Sequence, residues 1–325
     1  MNTTQSATKN VVSRRDFAKW TIAAPALLGL SAALAEEKKS LKMYKNLGVG
    51  HIGVNADQKQ AIEYAARFDF GGVSPSLGEL EKMTPDQRNS VASYLKEKGL
   101  QFGASSLPVQ FRTSENAFRQ DMALLPKRAE ILQSVGVSRI STWILPSHRD
   151  LTYIQNFEQH RARLSEVARI LQNYGIRLGL EFVGPQTSLL ANRFPFIHTQ
   201  LEMMDLIGKI GCSNVGLLFD SWHWHSSKGT VDDLNLLTNL DIVEVHVNDA
   251  PQGLSLGELV DSSRDLPTAT GVIDLKRFIN FLYNISYDGP VTCEPFNKPL
   301  NEMDNEEALK TVSDRMNRLF ALIDG

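Results

Sequence analysis

The sequence contains little cysteine, which excludes a fold held together by disulfide bonds. Only Cys212 and Cys293 occur in 325 residues. Each lies in or beside an apolar segment of the kind that becomes a buried element. Small secreted domains that depend on disulfides carry many more cysteines in a shorter chain. We therefore expect two free, mostly buried thiols.

The sequence also lacks an excess of positive charge. The formal charge of the whole chain is −3, from 34 basic and 37 acidic residues. Residues 1–35 hold four of the basic residues and one of the acidic ones, so 30 basic and 36 acidic residues follow them and their charge is −6. Binding to nucleic acid depends on Lys and Arg that neutralise phosphates. We therefore expect a small-molecule partner and no nucleic acid.

No apolar run is long enough to cross a membrane. The longest one, Trp20 to Leu34, has about 15 residues, whereas a span needs ~20. It follows a twin-arginine pattern with Arg14 and Arg15 at its centre, and it ends in a small-x-small site at Ala33–Ala35. This order is typical of a twin-arginine signal peptide. We predict a signal peptide at residues 1–35, a lead-in at residues 36–46, a periplasmic mature protein and no membrane span after cleavage. An uncleaved anchor is the alternative.

Strand-like apolar segments alternate with helical patterns along the rest of the chain. Eight strands are predicted: Leu47–Ile52, Phe70–Val73, Gln101–Ser105, Arg139–Trp143, Arg177–Phe182, Val215–Phe219, Asp241–Val247 and Val291–Glu294. A helix is predicted after each strand: Gln58–Arg67, Pro85–Lys98, Glu115–Val135, Tyr153–Tyr174, Gln200–Ile210, Val231–Asn239, Asp274–Tyr283 and Asn305–Ile323. We therefore predict an α/β fold with one (β/α)8 TIM barrel at residues 47–325. The alternative is an open doubly wound sheet, but the first strand-to-helix turn has no G-x-G-x-x-G motif.

Four predicted strands carry an acidic residue or a histidine at or near the C-terminal end. These residues are Glu181, Asp220, His246 and Glu294. In a TIM barrel these strand ends meet at one face, where active sites lie. Three carboxylates close together repel one another unless a cation is present. We predict a divalent metal site, with Mn²⁺ favoured by oxygen-rich ligation and Mg²⁺, Co²⁺ or Zn²⁺ as alternatives.

The segment "VGLLFDSWHWHS" places two histidines directly after Asp220. Residues three apart lie on opposite sides of a strand but on one side of a helix. If the chain turns after Asp220, His223 contacts the ligands or the substrate, and Trp222 can wall the pocket. Trp224 and His225 then face away from the site, where they pack in the core or cap a helix.

Two further residues are predicted to bind substrate. His51 and Trp143 lie at the ends of the first and fourth predicted strands. A tryptophan can stack on a sugar ring, although it packs in a core equally often. For His51, a core or capping role is an equal alternative.

The motifs together resemble the xylose isomerase-like TIM-barrel superfamily, in particular its sugar phosphate isomerase/epimerase branch. The resemblance runs from Leu47 to the C-terminus and is carried by "LGLEF", "FDSWH", "VHVND", "TGVIDLKRFI" and "YDGPVTCEPF". It implies that Glu181, Asp220, His246 and Glu294 bind the metal, and that Glu181 and Glu294 exchange protons with the carbon next to a carbonyl. It also implies a sugar isomerase or epimerase that acts on a keto-sugar or related polyol through an enediolate, and a possible homo-oligomer.

The sequence departs from the ketose epimerases of this branch at two positions. Those enzymes have a substrate-binding Glu six residues after the strand-five ligand and an Arg six residues after the strand-seven His. Thr187 and Gln252 stand there instead. Alternative functions are a lyase or dehydratase on a keto-sugar or keto-glycoside, a sugar-binding barrel, and an apurinic endonuclease. The endonuclease needs histidines after strands two and three, where "GGVSP" and "GASSLP" have none.

Replacing Arg14 and Arg15 by lysine tests the predicted export. The precursor is expected to remain in the cytoplasm, because the twin-arginine pathway reads that pair. Fractionation and immunoblotting measure the outcome, with Lys9→Arg as a control that leaves the pair intact. Unchanged periplasmic accumulation of the double variant would show that residues 1–35 are not such a signal.

Overall fold

The computed structural model describes residues 40–324. The predicted signal peptide, residues 1–35, therefore lies outside the described residues, as do residues 36–39 of the lead-in. No helix in the described part combines the length and the apolar character that a membrane span requires. Cys212 and Cys293 are both free, and Cys293 is buried whereas Cys212 is half-buried.

Eleven strand segments occur in residues 40–324. They are β1 (Tyr44–Leu47), β2 (Gly72–Val73), β3 (Gln101–Phe102), β4 (Ser105–Ser106), β5 (Arg139–Ile144), β6 (Ser147–His148), β7 (Arg177–Phe182), β8 (Phe194–Pro195), β9 (Val215–Asp220), β10 (Ile242–Val247) and β11 (Pro290–Cys293). Nine of them form a curled parallel sheet in the order β3-β2-β1-β11-β10-β9-β7-β5-β4, and β6 pairs with β8 in a separate antiparallel ribbon. The two ends of the sheet, β3 and β4, are consecutive parts of the third barrel strand. The sheet therefore forms a single barrel, as predicted, and is not an open doubly wound sheet.

Helices cover the outside of the sheet. The described α-helices are α1 (Gln58–Arg67), α2 (Leu77–Leu80), α3 (Pro85–Glu97), α4 (Glu115–Ser134), α5 (Tyr153–Gln172), α6 (Gln186–Leu189), α7 (Gln200–Ile210), α8 (Ser221–Ser226), α9 (Val231–Asn235), α10 (Leu275–Asn284), α11 (Lys298–Asn301) and α12 (Asn305–Phe320). Short 3-10 helices lie at Val49–Ile52, Asn239–Asp241 and Leu256–Glu258. Fully buried residues of the strands, such as Leu180, Phe182, Val245 and Val247, belong to the apolar core.

Two predicted strands differ from the structure. The first was predicted at Leu47–Ile52, but β1 ends at Leu47 and residues 49–52 form a 3-10 helix. Gly53 ends that helix with a φ of 73°, a conformation that glycine adopts without strain. The third strand is interrupted at Gly103, where an added Cβ would lie 2.4 Å from Asn46 Oδ1. Side-chain packing inside the barrel therefore breaks a strand that the sequence pattern shows as continuous.

Helix α7 begins with a capping box formed by Thr199 and Glu202. Thr199 Oγ1 accepts a hydrogen bond from the backbone N–H of Glu202, and the Glu202 carboxylate accepts hydrogen bonds from the backbone N–H groups of His198 and Thr199. Burial alone would raise the pKa of Glu202, but hydrogen bonds from His198 and Thr199 lower it to about 2. The ionised carboxylate therefore stabilises the folded state.

Glu202→Ala is expected to lower the free energy of unfolding by ~1 kcal/mol at pH 7, the usual cost of losing a helix cap. The pKa of Glu202 is lowered on folding, so its stabilisation is present above the ordinary glutamate pKa of ~4.3 and is lost as the pH falls toward 2. Urea unfolding at pH 7 and at pH 3 measures this difference. It should shrink at the lower pH, whereas the exposed-site control Glu97→Ala should show no such trend. An equal effect of Glu202→Ala at both pH values would contradict this role.

Candidate metal centre and active site

Four polar residues from four strands meet at the C-terminal end of the barrel. Glu181 lies near the end of β7, Asp220 ends β9, His246 lies near the end of β10, and Glu294 directly follows β11. One ligand atom from each of the four lies within 4.8 Å of the others. Parallel strands end at one face, so neighbouring strand ends present their side chains to a shared space. The four residues that the sequence predicts as ligands thus form one cluster.

The cluster contains buried donor atoms that suit a metal ion. Within residues 40–324, Glu181 Oε1 and His246 Nδ1 are buried without a hydrogen-bond partner. His246 Nδ1 lies 3.9 Å from Glu181 Oε1 and 3.2 Å from Glu294 Oε2. Unpaired buried polar atoms are costly, and a cation placed among them would satisfy both atoms. Carboxylate oxygens with one imidazole nitrogen fit a divalent metal such as Mn²⁺ or Zn²⁺.

Arg264 is a second source of positive charge that the sequence did not reveal. Its Nη1 donates to Asp220 Oδ2 at 2.8 Å and to Glu294 Oε2 at 3.1 Å. Its Nη2 donates to Asp261 Oδ1 at 2.8 Å. The guanidinium is buried and lies against the rings of Trp222 and Phe296. It therefore neutralises part of the carboxylate charge directly.

The position of Arg264 corrects the expectation that the site lacks an arginine. Gln252 is exposed and donates to Thr270 O, away from the cluster. Arg264 lies further along the same loop after β10, and the fold of that loop brings it back to Asp220. Thr187 Oγ1 donates to Leu259 O and so fastens α6 to this loop. No sequence periodicity marks Arg264, so only the path of the loop identifies it.

The electrostatic environments of the two glutamates differ. Burial, and then the charge of Glu294, raise the pKa of Glu181 well above its usual range. Burial alone would also raise the pKa of Glu294, but His246, His51 and Arg264 hold it below its usual range. Carboxyl groups whose pKa values are driven apart can serve as an acid and a base in one site. Glu181 thus favours the protonated form and Glu294 the ionised form.

The chain turns directly after Asp220, as predicted. Asp220 caps α8 by accepting a hydrogen bond from the backbone N–H of Trp222. His223 is 1% exposed, and its Nδ1 accepts a hydrogen bond from the backbone N–H of Gly184. Its Nε2 therefore carries the proton and lies 3.8 Å from both Glu181 Oε1 and Asp261 Oδ1. Burial, and then Arg264, lower the pKa of His223, so its ring is neutral.

The tryptophans of this segment have structural positions. Trp224 packs against Phe278 and donates to Thr230 O, away from the cluster as predicted. The prediction that Trp222 walls the pocket is wrong, because its side chain is fully buried and is absent from the cavity lining. Trp222 instead supports the guanidinium of Arg264.

A cavity of about 140 Å³ opens beside the cluster, and its lining includes Glu181, His246, Glu294, His51 and Trp143. His51 lies in the 3-10 helix after β1, not in the strand as predicted. His51 Nδ1 is 3.8 Å from Glu294 Oε1. Trp143 is 50% exposed at the mouth, and the guanidinium of Arg112 lies 4.2 Å from its ring. Both residues therefore face the space that a substrate would enter, and their binding roles stay predictions.

The profile of the xylose isomerase-like TIM barrel family matches residues 62–319. The chain belongs to this family. It is 24% identical over 264 residues to an inosose isomerase of Bacillus velezensis, a match that covers 80% of this chain and 91% of that protein.

Two solved structures are similar to this barrel. A xylose isomerase domain protein from Alicyclobacillus acidocaldarius has a TM-score of 0.77 and 28% identity, and the match covers 87% of this chain and all of that one. The IolI protein with a bound zinc atom has a TM-score of 0.71 and 21% identity, over 86% of this chain and 98% of that one. The likeness to IolI shows a common fold.

Removing any one of the four donors is expected to weaken metal binding. Glu181→Gln, Asp220→Asn, His246→Ala and Glu294→Gln each take away one donor, so affinity should fall by more than the ~10–100-fold that loss of an outer-shell partner costs. Calorimetry with Mn²⁺ and Zn²⁺, together with elemental analysis, measures affinity and stoichiometry. Glu258→Gln, at an exposed glutamate on the loop after β10, is the control. Full metal content in two or more of the four variants would mean that the site lies elsewhere.

Proposed function

We propose that this protein is a divalent-metal-dependent sugar isomerase or epimerase that acts on a keto-sugar or a related polyol. The observation that carries the proposal is the cluster of Glu181, Asp220, His246 and Glu294, whose ligand atoms lie within 4.8 Å of one another beside one small cavity. The name of the Bacillus velezensis relative, inosose isomerase, supports the same reaction class. The zinc in the IolI protein supports a metal in this site.

Glu181, Asp220, His246 and Glu294 would hold the metal. When bound, it polarises a carbonyl and an adjacent hydroxyl and so lowers the energy of an enediolate. The donor chemistry favours Mn²⁺ in our proposal, with Zn²⁺ as the alternative that the IolI structure supports. Counting Glu244 and Arg264, three buried carboxylates and the half-buried carboxylate of Glu294 face one buried guanidinium here, and a divalent cation would bring this charge closer to balance.

The two glutamates would carry the proton. One of the two glutamates would accept a proton from the carbon next to the carbonyl, and the other glutamate, or the same one, would return a proton. Return to the opposite face of the same carbon gives an epimer, whereas return to the neighbouring carbon gives an isomer. His223 is buried and does not line the cavity, so it would act on the substrate through Glu181, whose Oε1 lies 3.8 Å from its Nε2. Both glutamate side chains are largely buried, which limits the access of water.

A lyase is the second candidate, and a groove at the barrel mouth favours it. A groove of about 370 Å³ lies beside the cluster, between Thr187, Val260, Asp261 and Phe296. Val260 and Phe296 are 44% and 43% exposed, so the groove offers an apolar wall. A substituent of a keto-glycoside could lie there and depart from the enediolate in place of reprotonation. Comparing the products from ketoses with those from a keto-glycoside would distinguish elimination from reprotonation.

Two other classes receive less support. The ends of the second and third barrel strands bring Ser74, Pro75, Ala104 and Ser106 to the cavity, so these positions offer no histidine to an apurinic endonuclease metal cluster. A sugar-binding barrel would not need carboxyl groups with opposed pKa values. We retain the proposals that the mature protein is periplasmic and that it forms a homo-oligomer, on the sequence grounds given above.

Deuterium exchange tests the proposed chemistry. In D₂O the metal-loaded protein should place deuterium on the carbon next to the substrate carbonyl, because a proton held on a carboxylate exchanges with solvent. Proton and deuterium NMR on a panel of ketoses, inososes and a 3-keto-glycoside would report both the exchange and the product.

The same measurement applies to variants. Glu181→Gln and Glu294→Gln should each reduce exchange by at least ~10²-fold, the lower range for loss of a general acid or base. His223→Ala should reduce it less, because His223 acts on the substrate through Glu181, and the rim control Leu145→Ala should not change it. Undiminished turnover in both glutamate variants would defeat the proposal.

A further inference from the structure

Glu244 is a buried carboxylate that lines the same cavity as three of the proposed metal ligands, Glu181, His246 and Glu294. It lies two residues before His246 on β10, so both side chains point to the same face of the sheet. Glu244 is 3% exposed, and its Oε1 lies 3.4 Å from His246 Nε2. The opposite ring nitrogen, Nδ1, faces Glu294 and Glu181. The imidazole therefore lies between Glu244 on one side and the ligand cluster on the other.

A hydrogen-bond network holds Glu244 in place. Ser141 Oγ on β5 donates to Glu244 Oε2 at 2.6 Å, and Thr292 Oγ1 on β11 lies 3.5 Å from Oε1. Asn46 Nδ2 on β1 donates in turn to Thr292 Oγ1 at 3.0 Å. Four strands thus fix the position of a single carboxylate inside the barrel.

A buried carboxylate at this position lowers the stability of the folded protein, so folding alone does not explain its presence. Among the ion pairs of residues 40–324, Glu244 has His246 as its partner and no Arg or Lys within 4 Å. Burying a charge with little compensation destabilises a protein, and an apolar side chain of similar volume would often be neutral or better. The contact with His246 therefore gives the carboxylate a reason to be present.

We propose that Glu244 is the positioning residue that sets the orientation and tautomer of His246. Both ring nitrogens of His246 face a carboxylate, Nδ1 that of Glu294 at 3.2 Å and Nε2 that of Glu244 at 3.4 Å. A ring nitrogen that binds a metal gives up its proton, so when Nδ1 is the ligand the proton lies on Nε2, which faces Glu244. With Nε2 protonated, Nδ1 presents its lone pair to the space between Glu181 and Glu294. Histidine ligands commonly donate their second N–H to a carboxylate, which fixes the ring and strengthens the ligand. This role rests on the metal site in the proposed function.

Glu244→Met removes the acceptor and keeps the side-chain length, whereas Glu244→Gln keeps one acceptor oxygen. Loss of an outer-shell partner typically costs 10–100-fold in metal affinity, so calorimetry with Mn²⁺ or Zn²⁺ should show about that loss for the methionine variant and a smaller one for glutamine. Ser141→Ala leaves the histidine contact but removes the 2.6 Å donor, and it should give a milder loss. Glu258→Gln serves as the matched control.

Long-range ¹H–¹⁵N NMR of the histidine rings in the Zn²⁺-loaded protein supplies a readout independent of activity. The wild-type protein should show His246 protonated at Nε2, and Glu244→Met should show a mixture of tautomers. Thermal unfolding of each variant shows whether it is folded. If both Glu244 variants fail to fold, the metal affinity of Ser141→Ala becomes the test of the proposal.

Unchanged metal affinity and an unchanged His246 tautomer in Glu244→Met would overturn the proposal. If neither Glu244 variant folds, unchanged metal affinity in Ser141→Ala would overturn it. A wild-type protein that binds no metal would instead refute the metal-dependent function. That result would also remove the basis for a ligand role of His246, whereas unchanged affinity in Glu244→Met would refute the role of Glu244 alone.

Discussion

Concentrated negative charge at the C-terminal end of the barrel constrains the rest of the site. Glu181, Asp220, Glu244 and Glu294 are largely or fully buried around one imidazole. Removing carboxylates from water costs free energy unless cations and hydrogen bonds compensate. Arg264 compensates Asp220 and Glu294 directly, whereas Glu181 Oε1 and His246 Nδ1 lack partners within the described residues. This imbalance is the physical reason to place a divalent cation in the site.

The surrounding structure holds these charges in fixed relative positions. The loop after β10 returns Asp261 and Arg264 to the cluster, and Thr187 fastens α6 to that loop. On the other side, Gly184 packs so closely against α8 that a Cβ would lie 2.4 Å from His223 O, and its N–H sets the tautomer of His223. The tautomer of His223 is therefore fixed before any substrate arrives.

Local patterns predicted most of the fold. The bounds of α1 and α7 match the prediction, because Asp57 and Thr199 are capping residues that mark where a helix begins. The barrel followed from the alternation of strands and helices. The break in the third strand did not, because it depends on Asn46 filling the space beside Gly103. The helical turn at residues 49–52 was also missed, since its short apolar pattern resembles a strand.

The sequence by itself determined which residues stand at the strand ends, because parallel strands of a barrel all end at one face and each of the four polar residues follows an apolar run. Tertiary structure alone decided the partners of those residues. Arg264 lies in a loop without periodicity, and its contact with Asp220 depends on the path of that loop. Glu244 shares a face with His246 by simple alternation, but its support comes from Ser141 and Thr292 on strands distant in sequence. Pairing across the barrel depends on register and closure, which no local pattern encodes.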